Sequence, residues 1–119
     1  MWSVEGTDEF AEWYDSLSEE QQDALTARVE MLEQYGPNLK RPTVGEILSS
    51  AYAPQMKELR ISEAGQLRVL FAFDPRRTAI LLLGGDKSGR WEEWYRVAVP
   101  EADRLYGEYL EELRKEGLI

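Results

Sequence analysis

The sequence contains no cysteine and no histidine among its 119 residues. The first absence excludes disulfides, thiolate nucleophiles and cysteine-based metal sites, and fits a reducing compartment. The second removes the commonest general base and the commonest transition-metal ligand, so a zinc site would need carboxylates alone. Long apolar runs are missing too. No run exceeds five residues; Ala79–Leu83, one of that length, falls far short of the ~20 that a membrane span needs and reads as a buried strand. The opening MWSVEGTDEF lacks the basic start and apolar core of a signal peptide, so a cytoplasmic chain without a membrane anchor is expected. Positive charge is also scarce. Fourteen bases face 23 acids, for a net charge of −9. A pI near 4.6 argues against charge-driven binding of nucleic acid over the whole surface.

What positive charge there is has been concentrated. Met56–Arg96 holds eight of the fourteen bases (Lys57, Arg60, Arg68, Arg76, Arg77, Lys87, Arg90 and Arg96) against six acids. Residues 1–55 carry −8 and residues 97–119 carry −3. A chain of this length forms one domain, residues 1–119, and buries roughly two-thirds of its unfolded surface without a staple. An anionic domain that keeps its cations on its strands is built to meet an anion on one face.

The element order follows from local signals. Trp2–Val4 reads as a short strand. Thr7 caps a helix from Asp8 to about Ser16, and Ser18 with Gln21 forms a capping box for a second. Leu25, Val29 and Leu32 are that helix's apolar stripe, and Gly36-Pro37 ends it. Residues 36–55 read as loop, with one turn around Val44–Leu48. From Met56 the period is two: Leu59 and Ile61 share one face, as do Leu67, Val69, Phe71 and Phe73, with Arg60 and Arg68 on the other. Short connections at Glu63–Gly65 and Asp74–Arg77 imply an antiparallel meander, with the second a solvated turn. Gly84-Gly85 ends the last strand, Asp86–Gly89 is a polar loop, and Trp91–Val97 is a short amphipathic segment. Pro100 opens a terminal helix striped by Ala102, Leu105, Tyr106, Tyr109, Leu110 and Leu113. The expectation is an α+β domain in β-α-α-β-β-β-α-α order, its helices packed on one face of a small antiparallel sheet.

Four strings in this order carry a resemblance: Lys57-Glu58-Leu59-Arg60, Leu67-Arg68-Val69-Leu70-Phe71, Leu82-Leu83-Gly84-Gly85-Asp86-Lys87, and Trp94-Tyr95-Arg96 running into the Ala102…Tyr106 helix. Together they resemble the RelE/ParE superfamily of bacterial toxins, nearest to its HigB-like, phage-derived branch. The resemblance implies a RelE-like fold and a type II toxin that cuts messenger RNA in the ribosomal A site. It also implies a small helix-turn-helix antitoxin as partner. Such cleavage uses neither metal nor cofactor: the ribose 2′-hydroxyl attacks the adjacent phosphate. A chain without histidine must deprotonate, stabilise and reprotonate with Lys, Arg, Tyr or carboxylates.

Carried over residue by residue, Arg60 and Arg68 clamp the scissile phosphate from neighbouring strands. Lys57 and Lys87 serve as proton donors or electrostatic stabilisers, and Tyr95 is the best aromatic candidate. Arg90, Trp91 and Arg96 are assigned to RNA contact, with Trp91 and Trp94 able to stack on a base. Only Lys87 precedes Arg90 where relatives run two or more lysines, and −9 sits poorly with ribosome docking. Two other readings stand beside this one. The chain is a non-enzymatic, ParE-like inhibitor of a protein target such as gyrase, or a degenerate member that only binds its antitoxin. For Arg60 and Arg68 the plain alternative is an exposed sheet face, with the arginines paired to Glu58 or to acids on the helices.

Overall fold

Capping residues fix where the helices start. In a computed structural model that describes residues 1–86, 88–89 and 91–119, the Thr7 side chain accepts from the Phe10 amide and opens α1, Asp8–Asp15. Ser18 and Gln21 form the reciprocal capping box that opens α2, Glu19–Tyr35. Gly36 ends α2 in the left-handed region, with φ at 53°. A Cβ at Gly36 would lie 2.4 Å from the Trp2 ring, so the site needs glycine for space as well as conformation.

Five strands form one sheet. They are β1 (Ser3–Gly6), β2 (Val44–Glu46), β3 (Met56–Ile61), β4 (Leu67–Phe73) and β5 (Thr78–Asp86), in the spatial order β1-β5-β4-β3-β2. The β3–β5 meander is antiparallel as expected, β2 joins its edge antiparallel to β3, and the short Glu63–Gly65 turn puts Arg60 directly opposite Arg68. β1 departs from that pattern. It lies parallel to β5, because α1 and α2 intervene before the chain returns to the sheet.

The α+β class holds, but four details of the expected architecture are corrected. First, the helices cover both faces. α3 (Trp91–Lys115) packs over Met56, Leu70, Ala72, Ile80 and Leu82. On the opposite face, α1 and α2 close over Leu59, Ile61, Val69, Phe71 and Leu81. Second, residues 36–55 include β2, whose Val44 and Gly45 are buried at the sheet edge. Third, Trp91–Lys115 is one helix with Pro100 inside it. The proline removes one main-chain donor, but the apolar stripe from Ala98 to Leu113 keeps both halves packed.

Fourth, Gly84 and Gly85 lie within β5. Each gives its bare backbone to a tryptophan: a Cβ at Gly84 would sit 2.3 Å from the Trp13 ring of α1, and one at Gly85 2.1 Å from Trp94 of α3. Among the described residues, no helix is long and apolar enough to cross a membrane.

The β4–β5 turn is more tightly tied than a solvated tip. Asp74, 6% exposed, accepts from the Arg76 and Thr78 amides and from the Tyr109 hydroxyl, at 2.7, 3.1 and 2.7 Å. Arg76 donates to Tyr109 at 2.9 Å, and Arg77 lies over the Trp2 ring at 4.7 Å. The stacking at the glycine pair yields a stability prediction. Gly84→Ala forces a methyl group into the Trp13 ring and lowers unfolding free energy by about 1–3 kcal/mol in chemical denaturation. An unchanged denaturation midpoint contradicts this packing.

Candidate active site

Alternation along β3 decides which side chains meet. Met56, Glu58 and Arg60 face α3, whereas Lys57, Leu59 and Ile61 face α2. On β4, Arg68 shares the α3 face with Leu70 and Ala72. Two arginines directly opposite one another repel, and the sheet answers with a shared counter-ion. Glu58, 3% exposed, takes a hydrogen bond from Arg60 Nε at 2.8 Å on Oε1. Arg68 Nε approaches the same oxygen at 3.8 Å. From α3, the Tyr95 hydroxyl donates to Glu58 Oε2 at 2.5 Å.

The two arginines differ in access. The Arg60 side chain is 31% exposed and the Arg68 side chain 7%. Arg60 lies across Gly45 of β2, where a Cβ would fall 2.3 Å from Nη2. Its amide is pinned to the Thr43 carbonyl at 2.8 Å, which fixes the strand beneath it. Arg68 donates Nη1 to the Leu67 carbonyl at 2.8 Å, but its buried Nε has no hydrogen-bond partner. A buried guanidinium with an unfilled donor is unusual, and Glu58 Oε1 at 3.8 Å supplies it with charge but no hydrogen bond.

Burial, and then the hydrogen bond to Glu58, pushes the Tyr95 phenol up to about 12. At neutral pH it is a donor and cannot serve as a base. Its ring is held by Trp94 and Trp91, with centroids 5.0 and 6.2 Å away. The cluster therefore offers two guanidiniums against one carboxylate, one acceptor able to take a proton, and one phenol able to donate. Among the described residues, no group of His, Cys, Asp or Glu could hold a metal ion.

The expected site residues divide by position. Arg60, Arg68 and Tyr95 come together. Lys57 does not join them: it projects to the α2 face and pairs with Glu46 at 3.5 Å. Strand pleating is the reason, since positions 57 and 60 fall on opposite faces. Trp91, half exposed, and Arg96, exposed, lie on the first two turns of α3. Lys87 and Arg90 lie outside the described residues. Glu58 is the hub of the cluster, although sequence patterning marks it only as a surface partner for the arginines. An acid flanked on its own face by the apolar Met56 is the available signal that it points inward.

With this geometry in place, the relatives are informative. Residues 12–107 match the family described as phage derived protein Gp49-like. The chain is 45% identical over 92 residues to the HigB3 toxin candidate of Mycobacterium tuberculosis, covering 77% of this chain and 79% of that protein. It is 41% identical over 100 residues to the HigB2 toxin candidate of the same organism, spanning 82% of this chain and about half, 49%, of that longer protein. The isolated Escherichia coli RelE toxin superposes with a TM-score of 0.59 at 9% identity, covering 81% of this chain and 97% of that one. A chain of the archaeal RelE–RelB complex from Pyrococcus horikoshii superposes with a TM-score of 0.56 at 14% identity, covering 74% of this chain and 97% of that one. The fold is thus that of a RelE-like α+β domain. The chain belongs to the Gp49-like, phage-derived family, as a HigB-like member of it.

The raised phenol predicts an alkaline transition. Tyr95 and Tyr106 are both pushed up to about 12, each chiefly by burial, from an ordinary value of 10.0. Their folded pKa values lie above the unfolded ones. The stability they contribute is therefore complete below pH 10 and is lost as pH rises towards 12. Absorbance at 295 nm and far-UV circular dichroism, followed together, should show late tyrosine ionisation accompanied by unfolding. Titration of all the tyrosines near pH 10 with the fold intact contradicts the assigned burial.

Proposed function

We propose that this HigB-like chain acts as the toxin of a toxin–antitoxin pair, and that its toxicity is metal-independent cleavage of messenger RNA. The observation that carries the proposal is the Arg60–Arg68 cross-strand pair around Glu58, with an unfilled donor on Arg68. In the reaction the ribose 2′-hydroxyl attacks phosphorus and the bond to the 5′-oxygen breaks. The products are a 2′,3′-cyclic phosphate and a 5′-hydroxyl. Charge accumulates on the non-bridging oxygens of the phosphorane, and two convergent guanidiniums stabilise it.

Glu58 enters as the proton acceptor. In the resting site it occupies Arg60, the accessible cation. A phosphate that draws Arg60 away frees Oε1 to take the 2′-hydroxyl proton. Tyr95 holds the other oxygen and so orients the carboxylate. Lys87 keeps the role of proton donor that the family resemblance gives it and protonates the departing 5′-oxygen, while Trp91 and Arg96 keep that of RNA contacts alongside Arg90. Lys57 is left out, because it faces away. Action on ribosome-bound message, and silencing by an antitoxin, complete the reading. Support for the antitoxin comes from the solved neighbours that are complexes of RelE with RelB.

Purified protein, ribosomes and a reporter message test this directly. Codon-positioned cuts ending in cyclic phosphate are expected from the wild type. Arg68→Ala should retain the fold, lose about 10²–10³ in rate, and relieve growth arrest on expression. Cleavage by Arg68→Ala at the wild-type rate removes the phosphate clamp. Growth arrest with intact message assigns the chain instead to inhibition of a protein target.

A further inference from the structure

A second cationic site lies on the opposite face of the sheet. A cleft of about 350 Å³ opens between the end of α2 and the β2 edge, lined among others by Lys40, Arg41, Lys57, Glu46 and Phe73. Residues 1–55 contain only three bases, and two of them, Lys40 and Arg41, are at this one spot. Neither side chain has an ion-pair partner among the described residues, and both are exposed. Lys57, with a side chain 19% exposed, reaches the cleft from β3 and meets the mostly exposed Glu46 at 3.5 Å. Three cations against one carboxylate make the wall positive in a protein of charge −9. The exposed Lys57–Glu46 pair is a weak contact that an anion can displace.

The site is preformed. The Lys40 carbonyl accepts from the Thr43 and Val44 amides, both at 3.1 Å, and the Thr43 carbonyl is tied to β3 through the Arg60 amide at 2.8 Å. Phe73, half-buried, is the aromatic part of the lining. It is held edge-on by Trp2 at 5.1 Å and by Phe71 at 5.4 Å. A cluster of cations beside a fixed aromatic ring suits a ligand that is anionic at one end and flat and apolar at the other.

We propose that the cleft formed by Lys40, Arg41, Lys57 and Phe73 binds a nucleoside phosphate, its phosphate on the cations and its base against the ring. This site is separate from the Glu58 cluster, which faces α3 across the sheet, and it stands whether or not the chain cuts RNA.

The test titrates isotopically labelled full-length protein with adenosine monophosphate, with a 2′-deoxy pentanucleotide that cannot be cleaved, and with inorganic phosphate. The expected result is saturable shifts clustered at the amides of Leu39, Gly45, Glu46 and Lys57. Inorganic phosphate should bind roughly tenfold more weakly than the nucleotide, because it cannot stack. Equal affinity for monophosphate and pentanucleotide identifies a free nucleotide as ligand, and a much tighter pentanucleotide identifies a strand; both uphold the site. Lys40→Gln with Arg41→Gln, at two exposed positions, should weaken binding at least ~tenfold. The pair should also make the slope of log affinity against log salt shallower by about 0.7 for each phosphate that goes unneutralised. The shifts at the Leu39, Glu46 and Lys57 amides should saturate alike in the wild type and in Arg60→Ala, with any response at the Arg68 and Tyr95 signals read apart, which separates failure here from failure of the ribonuclease reading. Shifts that avoid the cleft, or full binding by the double variant, overturn the proposal.

Discussion

A buried carboxylate between two arginines is the constraint on which the functional end of this molecule depends. Glu58 is nearly solvent-free, and an unpaired charge there would be costly. Arg60 and Tyr95 satisfy one oxygen each, while Arg68 adds its charge at 3.8 Å. The same group thereby performs three tasks. It cancels the repulsion of a cross-strand arginine pair, it ties α3 to the sheet through Tyr95, and it keeps the cations occupied in the absence of ligand. Glycine completes the arrangement, since Arg60 can lie flat only because Gly45 has no side chain.

The two-sided covering of the sheet explains why this cluster is compact. β4 and β5 are buried on both faces, so α3 can approach closely enough for Tyr95 to reach across to β3. Trp94 on Gly85 and Trp13 on Gly84 set the distance of each layer at the far end of β5. The same layering divides the positive charge. Arg60 and Arg68 go to the α3 side, and Lys57 joins Lys40 and Arg41 on the α2 side. An acidic exterior surrounds both clusters, so each is a local feature and neither belongs to a basic surface.

Much of the fold was readable because its determinants are local. The Thr7 cap, the Ser18–Gln21 box, the Gly36 stop and the three long strands are signalled by residues within a few positions of each other. The arginine pairing was readable for the same reason, as a short connection of five residues, 62–66, fixes the register. The placement of α3 on the face opposite α1 and α2 was not. It depends on long-range packing, although the apolar Leu70 and Ala72 on the arginine face of β4 already imply a covered side. Pro100 and the Gly84-Gly85 pair misled as breaks, because helix packing outweighs local preference at both. Lys57 could have been set apart from Arg60 by the period of two alone. The role of Glu58 could not, since a carboxylate near arginines reads identically as a surface pair until its burial is known.

The direct test of Glu58 as the group that holds the two guanidiniums is to neutralise it while keeping its shape and its contact with Tyr95. Glu58→Gln should bind a non-cleavable 2′-deoxy trinucleotide more tightly than the wild type, as read at the Arg60 and Arg68 side-chain Nε–H signals in a titration by nuclear magnetic resonance. The same variant should cleave message more slowly. Unchanged or weaker binding at those two signals would contradict the account, and would leave Glu58 a structural counter-ion with no part in admitting phosphate.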